Sequence, residues 1–305
     1  MTDSGPAPGA DVDLPRFQVG MPPQHLITTL LGDYWFRRRE PLPSAALVRL
    51  AGEFGVSPVA ARAALSRLAR RDLLESSKAG RRTYYRLTDR ASAVLAEGRQ
   101  RIMSFGLGTG GWDGKWTVAG FSVPEEQRDL RHALRTRLRW LGFAPLYDGL
   151  WVSPTAGGET VAEALRDLGV RHATVFRGGA APGLRAPHEA WDFALLRRAY
   201  DDFLRHYGPL LDRVRGGAVG ASEALVARSG IMDTWRGFPN LDPGLPAELL
   251  PQDWPRTAAR DLFVEVYDTL GPLAESRVRQ IVTEFDHDLA GLVRHHRTGT
   301  ILAAT

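Results

Sequence analysis

Gly-Val-Ser-Pro-Val-Ala-Ala-Arg-Ala-Ala-Leu-Ser-Arg-Leu-Ala-Arg-Arg, residues 55–71, is the stretch on which the reading of this chain turns. Ser57 followed by Pro58 marks a helix start. The serine oxygen can accept from an orphan backbone N–H, and proline at the first helical position gives up an N–H that had no partner anyway. Ala61, Ala64, Leu65 and Leu68 then recur at helical spacing. At 100° steps, that apolar face leaves Val59, Arg62, Ala63, Ser66, Arg67 and Arg70 on the opposite side. Immediately before, Ser44 is expected to cap a helix carrying Leu47, Leu50, Ala51 and Phe54 on one face, with Gly55 as its left-handed stop. Two helices joined by so short a turn must cross steeply, which is the helix-turn-helix arrangement.

Working outward, Leu26, Leu30, Leu31, Tyr34 and Trp35 predict a helix from His25, stopped by Pro41 and Pro43. On the other side, Leu73–Ser76 and Arg82–Leu87 are strand-like, about a basic, glycine-bearing tip at Ser77–Arg81. That hairpin is a wing. In such an arrangement the N-terminal part of the second helix faces base edges in the major groove, so double-stranded DNA is the expected partner. Arg62 is the first choice for a forked contact to guanine, and Ser57 with the helix N-terminus for phosphate. Lys78, Arg81 and Arg82 would meet the backbone or the minor groove.

The charge distribution agrees. Residues 25–101 hold 15 Lys+Arg against 7 Asp+Glu, and the rest of the chain 24 against 28. A localised basic excess is the footprint of a polyanion binder. Lysine occurs only at Lys78 and Lys115. A GC-rich genome explains the preference for arginine but not its clustering.

The 305 residues leave room for two or three small domains. Residues 1–23 read as a disordered arm, 24–104 as the winged helix-turn-helix, 105–180 as a central domain and 181–305 as a helical C-terminal domain. Cysteine is absent, which excludes disulfides and thiolate metal sites. No apolar run reaches the roughly 20 residues of a membrane span, and no signal-peptide order is seen, so a cytoplasmic protein is expected.

Within 105–180, the segments Lys115–Val123, Glu125–Leu141, Phe143–Tyr147, Leu150–Ser153, Glu159–Leu168 and Arg171–Arg177 alternate as β-α-β-β-α-β, the ferredoxin-like split unit. Asp148-Gly149 is the hairpin signal between the middle strands. The glycine run at 106–111 follows a helix and precedes a strand, the reverse of a dinucleotide loop, and reads as a linker. Beyond Pro187, helices are expected near 188–206, 221–235, 256–270 and 272–296. The fold class is therefore α+β.

Catalytic signals are missing. No HExxH, GxSxG or Walker sequence occurs, and neither a cofactor nor a metal is expected. His295-His296 are expected on a helix surface, and Asp286, His287 and Asp288 on a solvated helix face. A metal-dependent nucleic-acid hydrolase on the central domain is the rival from the enzyme class. It would need an acid at or near Lys115–Val123, which has none. The helix at 125–141 carries Arg128, Arg131, Arg135, Arg137 and Arg139. It is either a solvated face or, with Tyr147 and Trp151, the site of an anionic effector held by Arg131 and Arg135.

Six stretches together resemble the PaaX-type transcriptional repressors over nearly all of residues 25–290. They are Leu-Ile-Thr-Thr-Leu-Leu-Gly-Asp-Tyr (26–34), the recognition segment at 55–68, Gly-Arg-Arg-Thr-Tyr-Tyr-Arg-Leu-Thr (80–88), Trp-Asp-Gly-Lys-Trp (112–116), Leu-Gly-Phe-Ala-Pro-Leu-Tyr-Asp-Gly-Leu-Trp-Val-Ser-Pro (141–154) and Leu-Pro-Ala-Glu-Leu-Leu-Pro-Gln-Asp-Trp-Pro (245–255). The resemblance implies a GntR-like winged helix, a middle domain similar to CRISPR-associated small nucleases, and a helical C-terminal domain. It also implies a homodimer on a palindromic operator, released by an aryl-acyl-CoA effector such as phenylacetyl-CoA in the founding members, and hence a repressor of a catabolic operon. Ser57, Arg62, Ser66 and Arg67 fall on the family's DNA-contacting helix. The chain departs from the family pattern at Arg256, where glycine is expected, and in its 23-residue arm.

Overall fold

The computed structural model describes residues 22–108, 111–181 and 185–303. The expected arm at 1–23 lies almost wholly outside them, as does part of the glycine-run linker. The protein is α+β, with two small antiparallel sheets and a helical C-terminal region. Its chain divides into two compact units that do not follow chain order. The first takes residues up to Met103, Pro209–Trp235 and those from Phe263 onward, and the second takes Ser104–Gly208 and Arg236–Leu262.

The first unit begins with α1 (Pro23–Tyr34), β1 (Leu42–Pro43), α2 (Ser44–Gly52) and α3 (Pro58–Arg70). It continues through β2 (Leu74–Ala79), β3 (Arg82–Leu87) and α4 (Asp89–Ser104). Leu26, Leu30 and Leu31 of α1, Leu47 and Leu50 of α2, and Ala61, Ala64, Leu65 and Leu68 of α3 are buried together. Small alanines on α3 let its backbone approach its neighbours closely, and the leucines fill the remaining volume. β3 lies between β1 and β2, antiparallel to both. The two-residue β1 has no period to betray it. Leu42 and Pro43 are recruited by pairing with Tyr85 and Tyr84. This also corrects the expected cap: Pro43 holds the N-cap position of α2, and Ser44 is already helical with no side-chain capping bond.

The second unit opens with β4 (Trp116–Phe121), α5 (Arg128–Trp140), β5 (Ala144–Tyr147), β6 (Leu150–Ser153), α6 (Gly158–Asp167) and β7 (Ala173–Gly178). Strand order is β5-β6-β4-β7 with every neighbour antiparallel. One face is sealed by α5 and α6 through Leu134, Leu138, Val161 and Leu165, packed on Ala119, Phe143 and Trp151. Asp148-Gly149 does form the β5–β6 turn, but neither residue has a positive φ. Glycine is needed there for space, since a Cβ would sit 2.6 Å from the Phe121 carbonyl oxygen.

Farther on come α7 (Phe193–Arg215), α8 (Ala221–Trp235), α9 (Phe238–Leu241), α10 (Arg256–Thr283), α11 (His287–Ala290) and α12 (Thr298–Ala303). The two helices expected at 256–270 and 272–296 are one 28-residue helix with Pro272 inside it, ending at Thr283. Proline costs one backbone bond there, and burial of Tyr267, Leu270, Ala274 and Val278 on either side holds the helix together. His295 and His296 consequently lie outside any helix, in the segment before α12. The carboxylate of Asp286 caps α11, accepting from the backbone N–H of Asp288 and Leu289.

Polar contacts bind the distant segments of the first unit. Arg228 of α8, with no exposed side-chain surface, donates to Asp33 (3.3 Å), the Tyr34 hydroxyl (3.1 Å) and the carbonyls of Tyr267 (3.1 Å) and His296 (2.8 Å). Tyr267 donates to the other Asp33 oxygen at 3.0 Å and lays its ring 3.7 Å from the guanidinium. A buried ion pair gains little net stability, but losing one member strands the other charge. Such a network pins α1, α8 and α10 to one arrangement. At the end of α2, Glu53 accepts from Arg277 (2.8 and 2.9 Å), Arg49 (2.6 Å) and Ser222 (2.6 Å). Hydrogen bonding from Arg277, reinforced by Ser222 and Arg49, outweighs burial and brings its pKa down to about 2.

Candidate nucleic-acid interface

The local chemistry of α3 is what its sequence requires. Ser57 Oγ accepts from Ala60 N at 3.2 Å, closing the first turn, and Pro58 follows at the first helical position. The capping bond uses the hydroxyl as acceptor and leaves its hydrogen free to donate outward. With the apolar face inward, Val59 is 76 % exposed, Arg62, Ser66, Arg67 and Arg70 are exposed, and Ala63 is half-buried. Among the described residues, none of these three arginines makes an ion pair or a side-chain hydrogen bond. The connection to α2 runs from Glu53 to Ser57, longer than a two-residue turn.

The β2–β3 hairpin carries more positive charge. Its strands extend farther than the alternation suggested, with Ala79 paired to Arg82, so the tip shrinks to Gly80-Arg81. Gly80 has φ +59° and Arg81 no positive φ, which is the type II′ pattern that demands glycine first. Lys78 is therefore on a strand opposite Thr83, two positions before the tip where it was expected. Lys78, Arg81 and Arg82 are exposed and carry no ion pair among the described residues. Farther down the hairpin the pattern reverses, with Arg86 paired to Glu75 across the strands and to Asp89 at 3.9 Å. Charge is thus compensated at the base of the hairpin and uncompensated at its tip.

The basic face of α5 behaves otherwise. Arg131 donates to the Val123 carbonyl at 2.8 Å, Arg135 to Asp148 at 2.8 Å, and Arg139 lies over the Trp151 ring at 5.5 Å. Trp151 is 1 % exposed and belongs to the core, so it is removed from any ligand-facing set. Tyr147 is exposed and stands beneath the Arg185 guanidinium at 5.8 Å. Of the four residues expected to hold an effector, burial thus removes Trp151, whereas Arg135 is tied to Asp148, the neighbour of the exposed Tyr147.

A second basic cluster went unassigned in the sequence. Arg37 and Arg38 follow α1, Arg99 lies on α4 and Arg294 precedes α12. Together with Phe36 and His296 they line a cavity of about 550 Å³. Only the first two stand out locally, as part of the run Arg37-Arg38-Arg39. His296 is held to a pKa of about 4 by burial first, and then by Arg99, Arg228, His295 and Arg38. Among the described residues, no group of three or more His, Asp or Glu is placed to hold a metal ion. No described helix is long and apolar enough to cross a membrane.

Comparison with known proteins bears on this arrangement. Residues 23–91 match the PaaX-like protein family, 109–190 the PaaX protein central Cas2-like domain, and 191–280 the PaaX-like protein C-terminal domain. A transcriptional repressor PaaX from Escherichia coli K12 is 27 % identical over 258 residues, covering 82 % of this chain and 80 % of the relative. Among solved structures, an uncharacterized protein from Mycobacterium tuberculosis superposes with a TM-score of 0.56 at 23 % identity. The match covers 84 % of this chain and 96 % of that one, a likeness of fold. With three successive matches spanning α1 to α10, the chain belongs to the PaaX-like family.

Proposed function

We propose that this protein is a DNA-binding transcriptional repressor, with residues 24–104 acting as a winged helix-turn-helix. The observation that carries the reading is the outward face of α3, where Arg62, Arg67 and Arg70 have no protein partner among the described residues. A guanidinium left uncompensated on a capped, groove-sized helix suits forked contacts to guanine and phosphate. The uncompensated tip of the β2–β3 hairpin serves as the wing, adding salt-dependent affinity through the backbone. Arg62 with Ser66 supplies sequence preference, while Ser57, Arg67, Arg70, Lys78, Arg81 and Arg82 position the protein on phosphate. Val59 and Ala63 give apolar contact at the groove floor.

Residues 105–180 form a ferredoxin-like module, which its strand order supports, and 181–305 a helical one. The protein works as a homodimer on a palindrome, setting two copies of α3 about 34 Å apart in successive major grooves. Its role is repression of a catabolic operon, relieved when an anionic effector of aryl-acyl-CoA type binds the released geometry better than the DNA-bound one. The E. coli relative's description as a transcriptional repressor supports this output.

Fluorescence anisotropy against DNA from the gene's own upstream region, beside random DNA of equal length, tests the reading. Tighter binding to the upstream fragment is expected, with footprints on two half-sites one helical turn apart. Equal affinity for both fragments would overturn it.

A further inference from the structure

We propose that the 550 Å³ cavity between the end of α1, α4 and the segment leading into α12 is the binding site of a small organic anion. Its phosphate or carboxylate meets the arginines and its apolar body lies against Phe36 and Ile301. The inference rests on the repressor reading for its consequence, not for its chemistry.

The lining contains four guanidinium groups and no carboxylate. Arg37 and Arg38 make no ion pair among the described residues. Arg99 donates to the Gly32 carbonyl at 3.3 Å and stands 4.6 Å from the centre of the Phe36 ring; the carboxylate that acts on it, Asp33, is already bound by Arg228 and Tyr267. Arg294 donates to the Val293 carbonyl, and the nearest acid, Glu275, is 3.9 Å away and already bound by His295 and Arg279. Like charges gathered about a cavity repel one another, and an entering anion relieves the cost for all of them. Phe36, Ala96 and Ile301 add apolar wall beside the polar Gln100 and Thr300, which favours an organic ligand over a bare ion.

The cavity is also built on a fixed floor. Tyr34 and His296 line it, and both the Tyr34 hydroxyl and the His296 carbonyl accept from the fully buried Arg228. Arg37 is held at φ +59°, a left-handed conformation that arginine rarely adopts and that clusters at ligand sites. The position has a consequence. Arg37 and Arg38 lead into β1, which pairs with β3, and Arg99 lies on α4, which follows β3. An anion bridging them grips both flanks of the segment that carries α3 and the hairpin. Its binding shifts DNA affinity by as much as it distinguishes the two geometries.

Isothermal titration of the full chain with phenyl phosphate, inorganic pyrophosphate and phenylacetate tests the site, beside the variants Arg38→Gln and Arg294→Gln. The wild type should bind phenyl phosphate or phenylacetate more tightly than pyrophosphate, and which of the two wins identifies the head group. Each variant should weaken that binding about tenfold, with operator affinity unchanged. Failure of the wild type to bind any of the three, or unchanged affinity in both variants, overturns the proposal. Loss of DNA affinity with intact anion binding would assign these arginines to the DNA surface instead and leave the repressor reading standing. Weakened anion binding in a protein that ignores operator DNA would do the reverse.

Discussion

Helices α3 and α5 are both thirteen residues long and both rich in arginine, yet three of the five arginines of α5 are partnered, Arg128 and Arg137 staying exposed, where three on α3 are not. On α5 the guanidinium groups of Arg131, Arg135 and Arg139 are taken up by a carbonyl, a carboxylate and an indole ring of the same unit. On α3 the guanidinium groups of Arg62, Arg67 and Arg70 are left without partners among the described residues. Counting charges does not separate the two helices. What separates them is whether the fold places an acceptor within reach.

The comparison can be broken most directly at Arg62. Arg62→Ala should cost about 1–3 kcal/mol per half-site on operator DNA and little on random DNA. Anisotropy titrations on both fragments read this, and equal losses on the two would remove Arg62 from base readout. Stability should stay within about 0.5 kcal/mol, because a surface group without partners has no contacts to lose.

A fully partnered group should show the mirror-image behaviour. Glu53→Gln leaves Arg277 without its carboxylate and should destabilise the protein by about 2 kcal/mol in urea unfolding. The pH dependence follows from the same contacts. The folded pKa of Glu53 is depressed to about 2, so its contribution is complete above the unfolded value near 4.5 and fades as pH falls from there towards 2. Glu53→Gln should flatten the wild-type acid limb in that window, and an unaltered limb would mean another carboxylate dominates it.

Smaller effects refine the contrast. Arg81→Ala, at the hairpin tip, should weaken operator and random DNA alike and lower the salt slope by about one. Arg135→Ala on α5 should leave DNA affinity untouched and change stability by less than about 0.5 kcal/mol, since its pair with Asp148 is solvent-exposed. A loss of DNA affinity in Arg135→Ala would erase the distinction between the helices.

Much of α3 is legible in the sequence. Ser57 as cap, Pro58 behind it, Gly55 at φ +74° and the alternation of buried and exposed positions are all settled within four residues along the chain. The limits of the hairpin are less legible, because a strand's length depends on its partner. Among the candidate effector residues, the burial of Trp151 is not legible. Tyr147 and Trp151 are neighbours in sequence, but an exposed strand position and a core position share no solvent. The basic cavity has no local signature, since its arginines come from positions 37, 38, 99 and 294.

By itself, then, the sequence determined the helix start at Ser57, the apolar stripe of α3, the glycine-led hairpin and the excess of positive charge in the first third. Each follows from torsional preference, hydrogen bonding or periodicity over a few residues. Only the tertiary structure decided that Leu42–Pro43 becomes a strand, that α10 runs unbroken through Pro272, that Arg228 is buried against Asp33, and which arginines keep their charge unpaired. Those outcomes depend on groups far apart in the chain meeting at hydrogen-bond distance, and no local spacing encodes such a meeting.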